Sequence, residues 1–151
     1  MKELCMRFGI EIPKKIASVY SSVCKPLCKA LDLPQTAFDI LMFLGNNPEY
    51  KTASEIAEIR HIKANLISVN VDRLVREGYL ARRNVSGDRR KNELICTDKA
   101  QPIIERGRQL QADFFEKVYA NMDSETRKAF AHALKIIEEN LNKLTEANEN
   151  K

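Results

Sequence analysis

The chain has 151 residues, of which 44% are hydrophobic and 30% charged, and a net charge of +4. That apolar content suits one packed domain with helical extensions and excludes a disordered chain. No apolar run approaches the roughly 20 residues a membrane helix needs, and the N-terminal stretch MKELCMRFGIEIPKK lacks a long apolar h-region and a small-residue cleavage site, so the expectation is a non-exported, cytoplasmic protein.

In chain order, Ile16, Val19, Tyr20, Val23, Leu27 and Leu31 form a helical stripe within residues 13–31. Pro26 falls inside it and predicts a kink or a restart. Pro34 opens a second helix, in which Phe38, Leu41, Met42 and Leu44 have a buried pattern that ends at Gly45, Asn46 and Asn47. Thr52 or Ser54 can cap the short helix SEIAEIR. A longer helix follows from about Ala64 to Glu77, with Leu66, Ile67, Val71, Leu74 and Val75 expected inward and Gly78 as its C-terminal stop. The segments YLARRN and NELICT read as two strands joined by the polar, Gly-containing VSGDRRK, which makes a hairpin. From Asp98 the chain is helical again, with Ile103, Ile104, Leu110, Phe114 and Val118 on one helix. Asp123 and Ser124 start the last helix, striped by Phe130, Leu134, Ile137, Leu141 and Leu144, and the polar tail TEANENK is expected to fray.

The positive charge is concentrated. Between Arg60 and Lys91 nine Lys or Arg residues face three acids, a local balance of +6, while the rest of the chain carries −2. Such a block suits a polyanionic partner. The short helix, the turn and the helix from Ala64 form a helix-turn-helix, and the hairpin is its wing. An Arg-rich wing tip can enter a minor groove while the preceding helix lies in the major groove. The fold class expected is therefore mainly α with a small β-hairpin wing. It comprises a winged helix-turn-helix DNA-binding region at residues 35–97 and helical dimerisation regions at residues 1–34 and 98–151. The terminal helices carry more apolar stripe than a small winged-helix core can cover, and pairing about a two-fold axis would bury it.

The run from Ile56 to Ala100, IAEIRHIKANLISVNVDRLVREGYLARRNVSGDRRKNELICTDKA, resembles the MarR family of transcriptional regulators, most specifically in DRLVREGYLARR, GDRR and CTDKA. The resemblance implies a homodimer on a pseudo-palindromic double-stranded DNA operator, acting as a repressor. It implies that Asp88 orients Arg90, that Arg89 or Arg90 enters the minor groove, and that Lys91 contacts phosphate. Ala64, Asn65, Leu66, Ser68 and Val69 would lie near base edges, and Lys63 and Arg73 on phosphates. Arg60 stands at a position that is usually apolar in this family, Leu66 and Val69 where polar groove-readers are common, and Ala100 where glycine is usual.

The family also implies a small aromatic or anionic effector, for which Tyr20, Phe38, Met42 and Phe43 are the candidate pocket residues; the plainer reading makes them core. Cys5, Cys24 and Cys28 are the candidate redox residues, since Tyr20, Cys24 and Cys28 recur every four residues and Lys25 and Lys29 could lower a thiol pKa. The plainer reading makes them small buried hydrophobes. Cys96 is assigned to core packing. His61 and His132 have no metal-ligand spacing, and no catalytic order or phosphate loop is present, so neither a metal, a cofactor nor an enzyme is expected. Two alternatives stand beside a ligand-released repressor: a thiol-based redox sensor of the same fold, and a winged-helix module that binds protein.

Overall fold

A computed structural model of the chain describes residues 6–84 and 92–149. A π-helical turn, Arg7–Glu11, leads directly into α1, Ile12–Ala30. The first helix therefore begins earlier than its apolar stripe suggests. It does not restart at Pro26, which lies within continuous helix. The inward side of α1 buries Cys24, Leu27 and Cys28.

Helix α2, Gln35–Asn46, is the centre of the core and buries Ala37, Phe38, Ile40, Leu41, Met42, Phe43 and Leu44. It runs through Gly45, whose role is close approach rather than termination. A Cβ there would stand 2.7 Å from Ile104 Cγ2. Gly107 does the same from the other side, where a Cβ would overlap Met42 Sδ. The two glycines let α2 and α5 (Gln101–Val118) pack with almost no gap.

Helix α3, Ala53–Arg60, is short and relies on its cap. Glu55 N donates to Thr52 Oγ1 at 3.2 Å and Thr52 N to Glu55 Oε2 at 2.8 Å, a reciprocal capping box. Helix α4, Ala64–Arg76, buries Ile67, Asn70, Val71 and Leu74. Leu66, expected inward, is instead exposed. Its neighbour Ile67 takes the inward position, and at about 100° of rotation per residue Leu66 falls on the flank.

Three helices end in the same way. Asp32, His61 and Gly78 each adopt a left-handed conformation, with φ of 52°, 51° and 81°. In each, the next residue folds back on the last turn: Leu33 N to Cys28 O at 3.0 Å, Ile62 N to Ala57 O at 3.1 Å and Tyr79 N to Leu74 O at 2.9 Å. These are Schellman corners, and the residue that folds back is apolar each time.

Strands β1, Leu80–Asn84, and β2, Asn92–Cys96, pair antiparallel from Leu80 opposite Cys96 to Asn84 opposite Asn92. Leu80 and Leu94 are buried while Ala81, Arg82 and Arg83 stay exposed. Leu94 N also donates to Lys51 O at 2.7 Å, which ties the hairpin to the segment before α3. The expected turn, with Asp88, Arg89, Arg90 and Lys91, lies outside the described residues, as does Cys5.

The chain forms two compact units, Met1–Phe114 and Phe115–Lys151. The second holds the end of α5 and α6, Ser124–Glu149. Within it Arg127 Nη1 meets Glu116 Oε1 at 3.0 Å, and the Tyr119 ring stands 5.8 Å from Phe130. The tail expected to fray continues the helix as far as Glu149.

Candidate nucleic-acid interface

The outer surface of the helix-turn-helix follows from what its inner surface buries. Ile67, Val71 and Leu74 anchor α4 to the core at 0%, 2% and 0% exposure. Asn70 is the one buried polar residue of the described core, and it is satisfied by donating Nδ2 to Leu66 O at 2.8 Å. The sequence reading missed Asn70, because a polar residue between apolar ones reads as surface unless a local backbone acceptor is foreseen. With those residues turned in, Lys63, Ala64, Asn65, Leu66, Ser68 and Val69 are all exposed. Six of the expected DNA-facing residues thus share the open side of one helix and the turn before it.

Arg73, the seventh, is engaged inside the fold. Its Nε meets Glu77 Oε1 at 2.8 Å, and Nη2 donates to Asp32 O at 2.7 Å. It fastens α4 to the corner between α1 and α2. Arg76, one turn on, is exposed.

The wing strands carry their charge in pairs. Arg82 on β1 is ion-paired with Asp72 on α4. Arg83 faces Glu93 in register across the hairpin, with Nε 3.2 Å from Oε2. The Arg83 hydrogen bond, assisted by Lys51, holds the Glu93 carboxyl below its ordinary pKa. Register explains the second pair: two residues directly opposite on paired strands meet side chain to side chain.

The residues expected to line an effector pocket each make packing contacts. Phe38 and Met42 are buried against α5 at Gly107. Phe43 stacks on Tyr50 with ring centroids 5.6 Å apart. Tyr20 packs on Phe114 at 5.4 Å, and its hydroxyl accepts from Gln111 Nε2 at 2.9 Å.

Cys24 and Cys28 are buried free thiols, and Cys96 is a half-buried one. Burial raises the pKa of Cys24, even though hydrogen bonding to Tyr20 works the other way. Burial, reinforced by Cys24 and Asp39, pushes Cys28 up to about 11. Cys96 is also raised by burial. The expected lowering by Lys25 and Lys29 does not occur. Both lysines are exposed, and desolvation of the thiolate decides the direction. Burial likewise raises Asp39, opposed by the nearby charge of Arg60, so the basic residue in a usually apolar position acts on the core acid of α2. Among the described residues no group of three or more His, Cys, Asp or Glu is placed to hold a metal, and no helix is long and apolar enough to cross a membrane.

The sequence model of the MarR family matches residues 31–91. This winged-helix segment is similar to the MarR family. The MarR fold extends well beyond it. A MarR family transcriptional regulator from Listeria monocytogenes, so described and crystallised with a 26mer DNA, superposes with a TM-score of 0.78 at 17% identity over 87% of each chain. Transcriptional regulator PA3341 gives 0.77 at 22% identity, covering 90% of this chain and 98% of its own. A MarR transcriptional regulator from Methanosarcina mazei Go1 gives 0.75 at 17%, covering 91% and 92%.

Proposed function

We propose that this chain is a homodimeric, sequence-specific DNA-binding transcriptional regulator. It acts in the cytoplasm as a repressor and has no catalytic activity. The observation that carries the proposal is the outer face of α4, held clear of the core by a capped helix-turn-helix inside the MarR-family segment. Residues 35–97 read a pseudo-palindromic operator. Asn65 and Ser68 offer hydrogen bonds, Ala64, Leu66 and Val69 apolar contact, and Lys63 a phosphate contact. Arg73 borders the phosphates while remaining tied to Asp32 and Glu77. At the wing tip Asp88 orients Arg90, Arg89 or Arg90 enters the minor groove, and Lys91 binds phosphate. A structurally similar Listeria protein has been crystallised with DNA, which supports this reading.

Residues 1–34 and 98–151 supply the pairing surface. Val19 and Val23 on α1, and Phe130, Leu134, Ile137, Leu141 and Leu144 on α6, are exposed in the single chain. A second copy gives those stripes a cover and sets two recognition helices on one duplex. Release from DNA is assigned to a small aromatic or anionic ligand. Tyr20, which joins α1 to α5 through Gln111 and Phe114, is the residue such a ligand would displace, beside Phe38, Met42 and Phe43. Raised thiol pKa values weigh against Cys24 and Cys28 as oxidant sensors, and Cys5 is the thiol of that alternative outside the described residues.

The test is binding of the purified, reduced protein to DNA upstream of its own gene against random DNA of equal length. Tighter, salt-dependent binding to the upstream DNA is expected, with Arg90→Ala losing about tenfold while circular dichroism is unchanged. Weak and equal binding to both, insensitive to salt, would favour the protein-interaction module.

A further inference from the structure

The geometry points to thymine methyl groups as what α4 reads in the major groove, with Val69 and Leu66 as the specificity-determining residues. The inference rests on the DNA-binding reading above and narrows it to a chemical feature of the base.

Val69 stands near the middle of the exposed side of α4. At about 100° per residue it lies roughly 165° from the mean direction of Ile67, Val71 and Leu74, which face the core. Its exposure is 66%, and that of Leu66, one turn back on the flank, is 46%. Neither side chain contributes to the core of the chain. Two large aliphatic groups on the open side of a recognition helix require an apolar surface opposite them. In the major groove that surface is the C5-methyl of thymine, the only apolar group any base pair presents there.

The polar residues around them leave the apolar contact a leading part. Asn65 is the natural partner for adenine, which takes one amide hydrogen bond in each direction. Its Oδ1 already accepts from Leu66 N at 2.9 Å, so one of the two lone pairs of that acceptor is engaged and the amide is turned towards its own backbone. Asp72, further along the same side, would repel phosphate, but its carboxylate is paired with Arg82. Exposed cations stand at both ends, Lys63 before the first turn and Arg76 in the last. An apolar centre between two cations matches a groove whose floor carries methyl groups and whose walls carry phosphates.

The test uses the full chain and duplexes that it enriches from a randomised pool, with each thymine of an enriched site replaced in turn by deoxyuridine. That change removes the methyl and keeps the pairing. For the wild type, affinity should fall about fourfold for each methyl in contact, the value of one buried methyl group. In Val69→Ala or Leu66→Ala the same replacement should have little effect, because the partner of the methyl has gone. Both side chains are exposed, so neither variant should disturb the fold, and the deoxyuridine series on the wild type needs no variant at all. Enriched sites indifferent to deoxyuridine at every position would overturn the inference while leaving a DNA reader in place. A pool that yields no enriched site would remove the DNA-binding reading itself, and this inference with it.

Discussion

Helices α2 and α6 carry apolar stripes of similar period and opposite fate. Seven of the 12 residues of α2 are buried. In α6, with 26 residues, Phe130, Leu134, Ile137, Leu141 and Leu144 are 40–62% exposed, and none of its described side chains is buried. Periodicity says which side of a helix is apolar but not what covers it. The density of the stripe does say. α2 is apolar on nearly every side, with aromatic, Met and Leu side chains in succession, and such a helix can only be internal. α6 has one narrow stripe flanked by charge, as a helix that pairs with another copy should have.

The comparison can be broken first at α2. Phe38 is fully buried, and its ring meets Gly107 of α5. Phe38→Ala should cost about 3–5 kcal/mol, since the well-packed neighbours cannot close the cavity. Urea unfolding measures it. A loss under about 1 kcal/mol would mean that α2 is not the centre of the core.

The next largest effect is expected at α6. Leu141→Glu keeps helix propensity and puts a charge in the exposed stripe. If that stripe is the pairing surface, each copy loses the roughly 1.5–3 kcal/mol of one buried leucine, and across two copies the dimer should weaken by more than about a hundredfold. Sedimentation should then show a monomer with unchanged helix content. A wild type that is itself monomeric would end the assignment of α6 as a pairing helix.

Much of the fold was legible in the sequence because its signals are local. Thr52 was one of two candidate caps for α3, and Gly78 marks the end of α4. The two strands were legible as YLARRN and NELICT on either side of the polar, Gly-containing VSGDRRK. The ends of α1 and α3 were not marked, because Asp32 and His61 take the left-handed position that glycine takes after α4. Their cost is offset by the apolar fold-back of Leu33 and Ile62, which depends on tertiary contact. Gly45 looked like a stop and is a contact, since only the approach of Ile104 reveals what its missing side chain permits. The site was legible as a helix face and a cluster of charge. Which cations remain available to DNA was not. Arg73 is held by Glu77 one turn on and by distant Asp32, Arg82 pairs with Asp72 on α4, and Arg83 meets Glu93 through strand register.

A smaller effect tests how dry the α1–α2 contact is. In the folded chain Cys28 has its pKa raised to about 11, above the ordinary value of 9.0. Above pH 9 the unfolded chain releases this proton and the folded chain retains it, so stability should fall as pH rises from about 9 towards 11. Below pH 9 the thiol is protonated in both states and contributes no slope. Cys28→Ala should flatten this alkaline limb in unfolding experiments at successive pH values. An identical slope in the variant would mean that the thiol is hydrated in the folded state, and that the core around α2 is wetter than its burial indicates.

The smallest stability effect is expected at the surface pair that joins wing to recognition helix. Arg82 and Asp72 are both substantially exposed, at 40% and 57% for their side chains. Arg82→Ala should therefore cost no more than about 0.2–1 kcal/mol of stability. Its effect on DNA binding should be larger, because it uncovers a carboxylate on the side of α4 proposed to face DNA. Two roles for Arg82 can be separated by repeating the substitution in an Asp72→Asn background. If the arginine serves to neutralise Asp72, removing it there should leave affinity almost unchanged. If it touches the backbone of the duplex itself, the loss should be the same in both backgrounds, and the slope of affinity against salt should fall by about one phosphate contact. The first result would make the Arg82–Asp72 pair a charge mask built into the recognition helix. The second would return Arg82 to the group of residues that grip DNA, and Asp72 would then be a competitor for it.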